Sequence, residues 1–123
     1  MIKLLIVGAG GFLGSIARYL MARSIDARLQ IFFPYGTLTV NILGSFILGV
    51  VWAFTVRRAD SENIRLFLGT GICGGFTTFS AFTMENVNFM QQKMIGTSLL
   101  YISLSLVAGI FAVAAGMWFG KSL

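Results

Sequence analysis

Residues 69–85 read GTGICGGFTTFSAFTME, and no other apolar stretch of this chain is so ill-suited to forming an uninterrupted membrane helix. Gly71, Gly74 and Gly75 precede Thr77, Thr78, Ser80 and Thr83, so the backbone is free to leave helical geometry where hydroxyls can re-satisfy the released groups. In lipid, irregular backbone survives only where protein buries it or where it lines a watery cavity. Interrupted helices of this kind commonly hold ions at their exposed ends. The stretch therefore predicts a helix broken between residues 74 and 78 at an ion site.

The rest of the chain supplies the membrane context. Of 123 residues, 57% are hydrophobic and only 11% charged, and the mean hydropathy of +0.88 lies outside the soluble range. A span takes about 20 apolar residues. The runs at about residues 4–21, 37–56, 64–90 and 96–119 thus predict an all-α membrane protein of four transmembrane helices, a single domain over residues 1–123. The single Cys73 excludes an internal disulfide. With no histidine either, the usual nitrogen and sulfur metal sites and nucleophilic triads are missing, and an enzyme is not expected. The net charge of +5 sits at the ends of apolar runs. It predicts interfacial anchors in lipid and no nucleic-acid partner.

Gly8, Gly11 and Gly14 follow an apolar run in the manner of a dinucleotide-binding turn. What comes next is a loop and a second long apolar run, where a nucleotide fold needs alternating strands and helices with an acidic residue at a second strand end. Small residues that let helices pack closely in lipid explain them better. Gly11, Gly14, Ser15 and Arg18 recur at helical spacing, which puts the guanidinium on that packed face. Arg18 is then either a snorkelling anchor or part of a vestibule that concentrates anions.

Near the end of the polar stretch 24–35 stands Pro34, the only proline, which marks the entry to the second span, as expected at a helix start. Within the second span Asn41 and Ser45 lie one turn apart, and Asn41 is either an interhelical hydrogen bond or a donor to a ligand. The charged loop RRADSENIR, 57–65, offers Asp60 or Ser61 as a cap for the third span. In the fourth span Thr97, Tyr101 and Ser105 form one polar face, for helix contact or for a row of hydroxyls along a conduit.

These residues bring a family into view: over essentially its whole length the chain resembles the small fluoride channels of the CrcB, or Fluc, family. The resemblance is carried by GxCGGxTTFSxF at residues 71–82, GTLxVN at 36–41 and the glycine-rich first helix with its arginine at 8–18. It implies an antiparallel, dual-topology homodimer in a bacterial plasma or inner membrane, with two fluoride pores and a structural sodium ion at its centre. It further implies passive export of fluoride, which lowers its cytoplasmic concentration. Residue by residue, it makes Phe79 and Phe82 the paired pore phenylalanines, Asn41 the pore asparagine and Arg18 the vestibule arginine. It adds the hydroxyls of Thr78, Ser80, Tyr101 and Ser105 to the pore, and gives the sodium the backbone carbonyls of Gly74 and Thr77. Ala81 departs from the pattern, standing where many relatives carry threonine.

Composition and spacing alone indicate an ion site without naming the ion. Phe79 and Phe82, three apart on a resumed helix, share a side, and their ring edges carry the positive part of the quadrupole. The principal alternative is a small dual-topology multidrug/proton antiporter. That machinery needs a carboxylate in the first span, and residues 4–21 contain none. A third possibility, a bundle that only assembles with other membrane proteins, does not account for the break. At the break itself, glycine at position 74 is expected to supply a conformation that a side chain would forbid.

Orientation follows from charge. Lys3, Arg57, Arg58, Arg65 and Lys121 fall on one side, and Arg18, Arg23, Arg28 and Lys93 on the other, five against four. The positive-inside rule needs an imbalance. Tags on both termini are therefore expected on both faces of the membrane when accessibility is probed in intact cells, and a single orientation for every copy would rule out the antiparallel pair.

Overall fold

A computed structural model describes residues 1–29 and 32–123. Helix α1 (Ile2–Leu29) and α2 (Tyr35–Val56) are followed by a composite third span, Glu62–Gln91, and then by α6 (Ile95–Lys121). The third span consists of α3 (Glu62–Ile64), a π-helical stretch Arg65–Cys73, α4 (Gly74–Phe76) and α5 (Phe79–Gln91). All four spans are long and apolar enough to cross a membrane. Their outer faces carry Phe12, Ile110, Phe111 and Trp118, each 66% exposed or more. Such patches would drive association in water, whereas lipid tails cover them. The protein is an all-helical, multi-pass membrane protein.

The glycines of the first span sit in the middle of α1, and no strand occurs among the described residues, which removes the dinucleotide alternative. Helix α1 also runs well past the expected end of its apolar run, to Leu29. Polar residues 22–29 are unfit for lipid but include good helix formers such as Ala22, Arg23 and Ala27. Near that end, Asp26 Oδ1 accepts the backbone N–H of Gly36 at 2.9 Å and draws the start of α2 against α1. Ser61 precedes α3 without capping it. Its hydroxyl donates instead to the carbonyls of Thr55, at 2.5 Å, and Arg58, at 2.7 Å, closing the turn that leaves α2. Arg57 reaches across to the carbonyl of Lys121 at 3.0 Å, so the end of α6 is satisfied by a side chain from α2.

Two glycine seams hold the bundle. Helix α2 shares its most extensive interface with α6, where a Cβ at Gly49 would strike the carbonyl of Val113 and one at Gly116 that of Phe46. Helix α1 lies on the first half of the third span, where a Cβ at Gly10 or Gly14 would strike the carbonyls of Phe67 or Ile72. Backbone meets backbone there, as small residues permit in lipid.

The break falls within the expected window of residues 74–78, at its threonine end. Gly74 keeps ordinary helical angles, φ −62° and ψ −38°, and a Cβ there would meet nothing closer than 3.9 Å. Its expected conformational role is thus not seen. Gly75 serves packing, with its Cβ position 2.7 Å from the carbonyl of Gly11. The chain leaves helical geometry at Thr77 (φ −90°, ψ 158°) and Thr78 (φ −148°, ψ 118°). Both are β-branched residues that favour extended backbone.

Replacing Gly10 or Gly14 by valine should separate α1 from the third span, at a cost of about 1–3 kcal/mol or more for overpacking. Gly8, with nothing within 4 Å of its Cβ position, should accept alanine unchanged. Size-exclusion profiles and thermal unfolding in detergent compare the variants.

Candidate ion-conduction groove

The extended Thr78 leaves an N–H and a carbonyl that no helix satisfies, and Asn41 meets both. Its Oδ1 accepts the N–H of Thr78 at 2.7 Å, and its Nδ2 donates to the carbonyl of Thr78 at 3.1 Å. The carboxamide thus pairs with one residue of the broken backbone as a second peptide group would. On either side of it the ends are capped. The hydroxyl of Thr77 donates back to the carbonyl of Cys73 at 2.9 Å. Thr78 Oγ1 accepts the N–H of Ala81 at 3.1 Å, which starts α5. Arg18 Nε donates to the carbonyl of Gly75 at 3.0 Å. A cation so placed also complements the negative end of the first half-helix.

Beside the break runs a groove of about 320 Å³. Asn41, Gly74, Thr77, Thr78, Phe79, Phe82 and Ser105, all singled out from the sequence, line it together with Ser45 and Cys73. Phe79 and Phe82 share this face, their ring centroids 5.9 Å apart. Phe79 is 76% exposed, whereas Phe82 is 8% exposed. The Ser105 hydroxyl is buried with no hydrogen-bond partner among the described residues. An orphaned hydroxyl in an apolar setting is a donor available to an anion.

Three of the expected residues lie elsewhere. Ser80 is exposed, its hydroxyl 3.3 Å from that of Thr78. Arg18 is engaged at Gly75 as described. Tyr101 is fully buried behind Phe82, at a centroid separation of 5.1 Å, and its hydroxyl donates to Glu85 Oε1 at 2.8 Å. Thr37 donates to the other oxygen, Glu85 Oε2, also at 2.8 Å.

The Glu85 network was not read from the sequence as a site. A glutamate among only four acidic residues, within an apolar span, three residues beyond Phe82, was the available signal. Thr37 carried none, since a hydroxyl early in a helix is ordinary. Next to Glu85, buried Asn86 donates to the carbonyl of Phe82 at 2.9 Å and accepts the hydroxyl of Ser98 at 2.8 Å.

As to a cation, no donor among the described residues reaches the carbonyl oxygens of Gly74 or Thr77. Both residues line the groove. Hard, neutral oxygens without a carboxylate suit an alkali cation, so the residues present fit the ion that the resemblance implies.

A family profile described as CrcB-like protein, Camphor Resistance (CrcB), matches residues 5–117. The chain belongs to the CrcB family. Curated relatives cover nearly all of it. One from Agrobacterium fabrum is 43% identical over 100% of this chain and 99% of its own length. One from Flavobacterium psychrophilum is 41% identical over 95% of each. One from Phocaeicola vulgatus is 40% identical over 97% of this chain and 98% of its own length. Each is named fluoride-specific ion channel FluC. The antiporter alternative finds no support in this CrcB-family membership. The carboxylate at the far end of α1, Asp26, is bonded to the backbone of Gly36.

Because Asn41 carries the break, Asn41→Leu should leave both the N–H and the carbonyl of Thr78 unpaired, at about 1–3 kcal/mol for each orphaned group. A markedly lower thermal midpoint in detergent is expected. A midpoint equal to that of the parent would show that the break holds without the asparagine.

Proposed function

We propose that this chain is a fluoride channel of a bacterial plasma or inner membrane, which lets fluoride leave the cell passively and so lowers its cytoplasmic concentration. The observation that carries this is the groove beside the break. There, two phenylalanines and an unpartnered hydroxyl face the same space, in a chain whose relatives bear that name over their full length. A small anion that sheds part of its water gains contact with ring edges and hydroxyl donors, and among the described residues no acidic side chain lines this groove. The work is transport, without an enzymatic step.

The conducting unit, on this proposal, is an antiparallel homodimer. The near balance of basic residues supports insertion in both directions, and a two-fold axis in the membrane plane would give by pairing what larger transporters obtain from inverted repeats. Gly74 and Thr77 of each copy would hold a structural sodium ion through their carbonyls. When bound, that ion would balance the negative ends of the interrupted helices.

Liposomes loaded with fluoride or chloride provide the test. Purified protein is expected to release fluoride rapidly and chloride hardly at all, with no dependence on a proton gradient. Equal release of both anions would overturn the proposal. Phe79→Ile and Phe82→Ile keep an apolar side chain but remove the ring edge. Each should slow fluoride release by at least about tenfold, the factor set by ~1.4 kcal/mol. Parental rates in both variants would reduce the rings to packing.

A further inference from the structure

The most buried polar contact of the second half of the bundle lies outside the groove. Asn86 is 5% exposed and Ser98 wholly buried, and neither lines the groove. They nonetheless bond to each other at 2.8 Å, and Asn86 returns its amide to the carbonyl of Phe82 at 2.9 Å. Asn86 is one turn beyond Phe82 on α5, and Ser98 is about one turn before Tyr101 on α6. The antiparallel helices are thus joined by two neighbouring rungs, one aromatic and one hydrogen-bonded. We infer that Asn86 and Ser98 are positioning residues of the permeation path: the hydrogen bond between them fixes the rotation and height of α5 against α6, and thereby the place of the Phe82 ring in the groove.

The physical grounds are three. Bonding at both ends of its amide gives Asn86 a single side-chain orientation, whereas apolar contacts between α5 and α6 alone would allow the helices to slide. In a span already broken at Thr77 and Thr78, α5 cannot borrow register from α4, because no continuous helical ladder crosses the break. Finally, leaving a buried oxygen or amide without its partner is costly, so the paired arrangement is strongly preferred over shifted ones. Tyr101 and Glu85 add a link on the same side, but that link runs to the Tyr101 hydroxyl, beyond the ring that Phe82 touches.

This inference rests on the groove being an anion path, and its test separates the two. Ser98→Ala should lower the rate of fluoride release from liposomes by about fivefold or more, the scale of coupling within a shared network, while the protein stays monodisperse in detergent. Ser98→Thr, which keeps the hydroxyl, should restore the parental rate. In the Phe82→Ile background, Ser98→Ala should have little further effect, since the ring it places is gone. A parental rate for Ser98→Ala, or the same fold-loss with and without Phe82, would overturn the inference. A readout independent of conduction is the ¹⁹F resonance of 4-fluorophenylalanine at position 82. It should shift or split in Ser98→Ala and return in Ser98→Thr. An unchanged resonance refutes the positioning role even if the parent carries no fluoride.

Discussion

An interrupted backbone inside a membrane must find its hydrogen bonds within the protein, and the reciprocal pair between Asn41 and Thr78 is how this chain meets that demand. Much of the architecture is arranged so that the pair can form. Helix α2 has to stand with Asn41 level with the break, and the glycine seam between α2 and α6 sets its depth and tilt. Arg18 must reach Gly75 from the other side, which places α1 close against the first half of the third span. Two side chains from two helices thus flank the break, one on the carbonyl of Gly75 and the other on that of Thr78. The groove exists because the helix stops there.

Much of this was legible in the sequence because it is written in residue types with few alternative uses. Four long apolar runs in 123 residues leave little choice of fold. Hydroxyls bunched after glycines mark the break, the family resemblance joins to it an asparagine of the second span and two phenylalanines three apart, and the structure does bring Asn41, Thr78, Phe79 and Phe82 to one groove. Which residue makes the break, within the expected 74–78, was harder. Glycine was the natural suspect, yet Gly74 is helical and Gly75 serves a close approach, while Thr77 and Thr78 take the extended angles. Conformational freedom and small size are two properties of the same residue, and sequence does not say which is used. Lipid, by favouring close helix contact, favours the second.

Other misses have a similar cause. The length of α1 was underestimated because hydropathy reports what lipid accepts, not where helical hydrogen bonding ends, and residues 22–29 continue the helix beyond the apolar run. The partners of Glu85 lie 48 and 16 residues away, at Thr37 and Tyr101. No local pattern encodes such a meeting. It follows from the order in which the helices pack, which pairs α5 with α6 and sets the start of α2 beside them.

The third span is held by different materials on either side of its interruption. Its first half lies against α1 along a seam of glycine on backbone, while its second half, α5, leans chiefly on α6 through rings and a few polar contacts. Within the chain the two halves are therefore anchored to different neighbours, the later one by less surface. Thermal loosening of the bundle should begin there, with amides of α5 exchanging sooner than those between Arg65 and Phe76. The segment that carries both phenylalanines is thus the less extensively packed half of the third span.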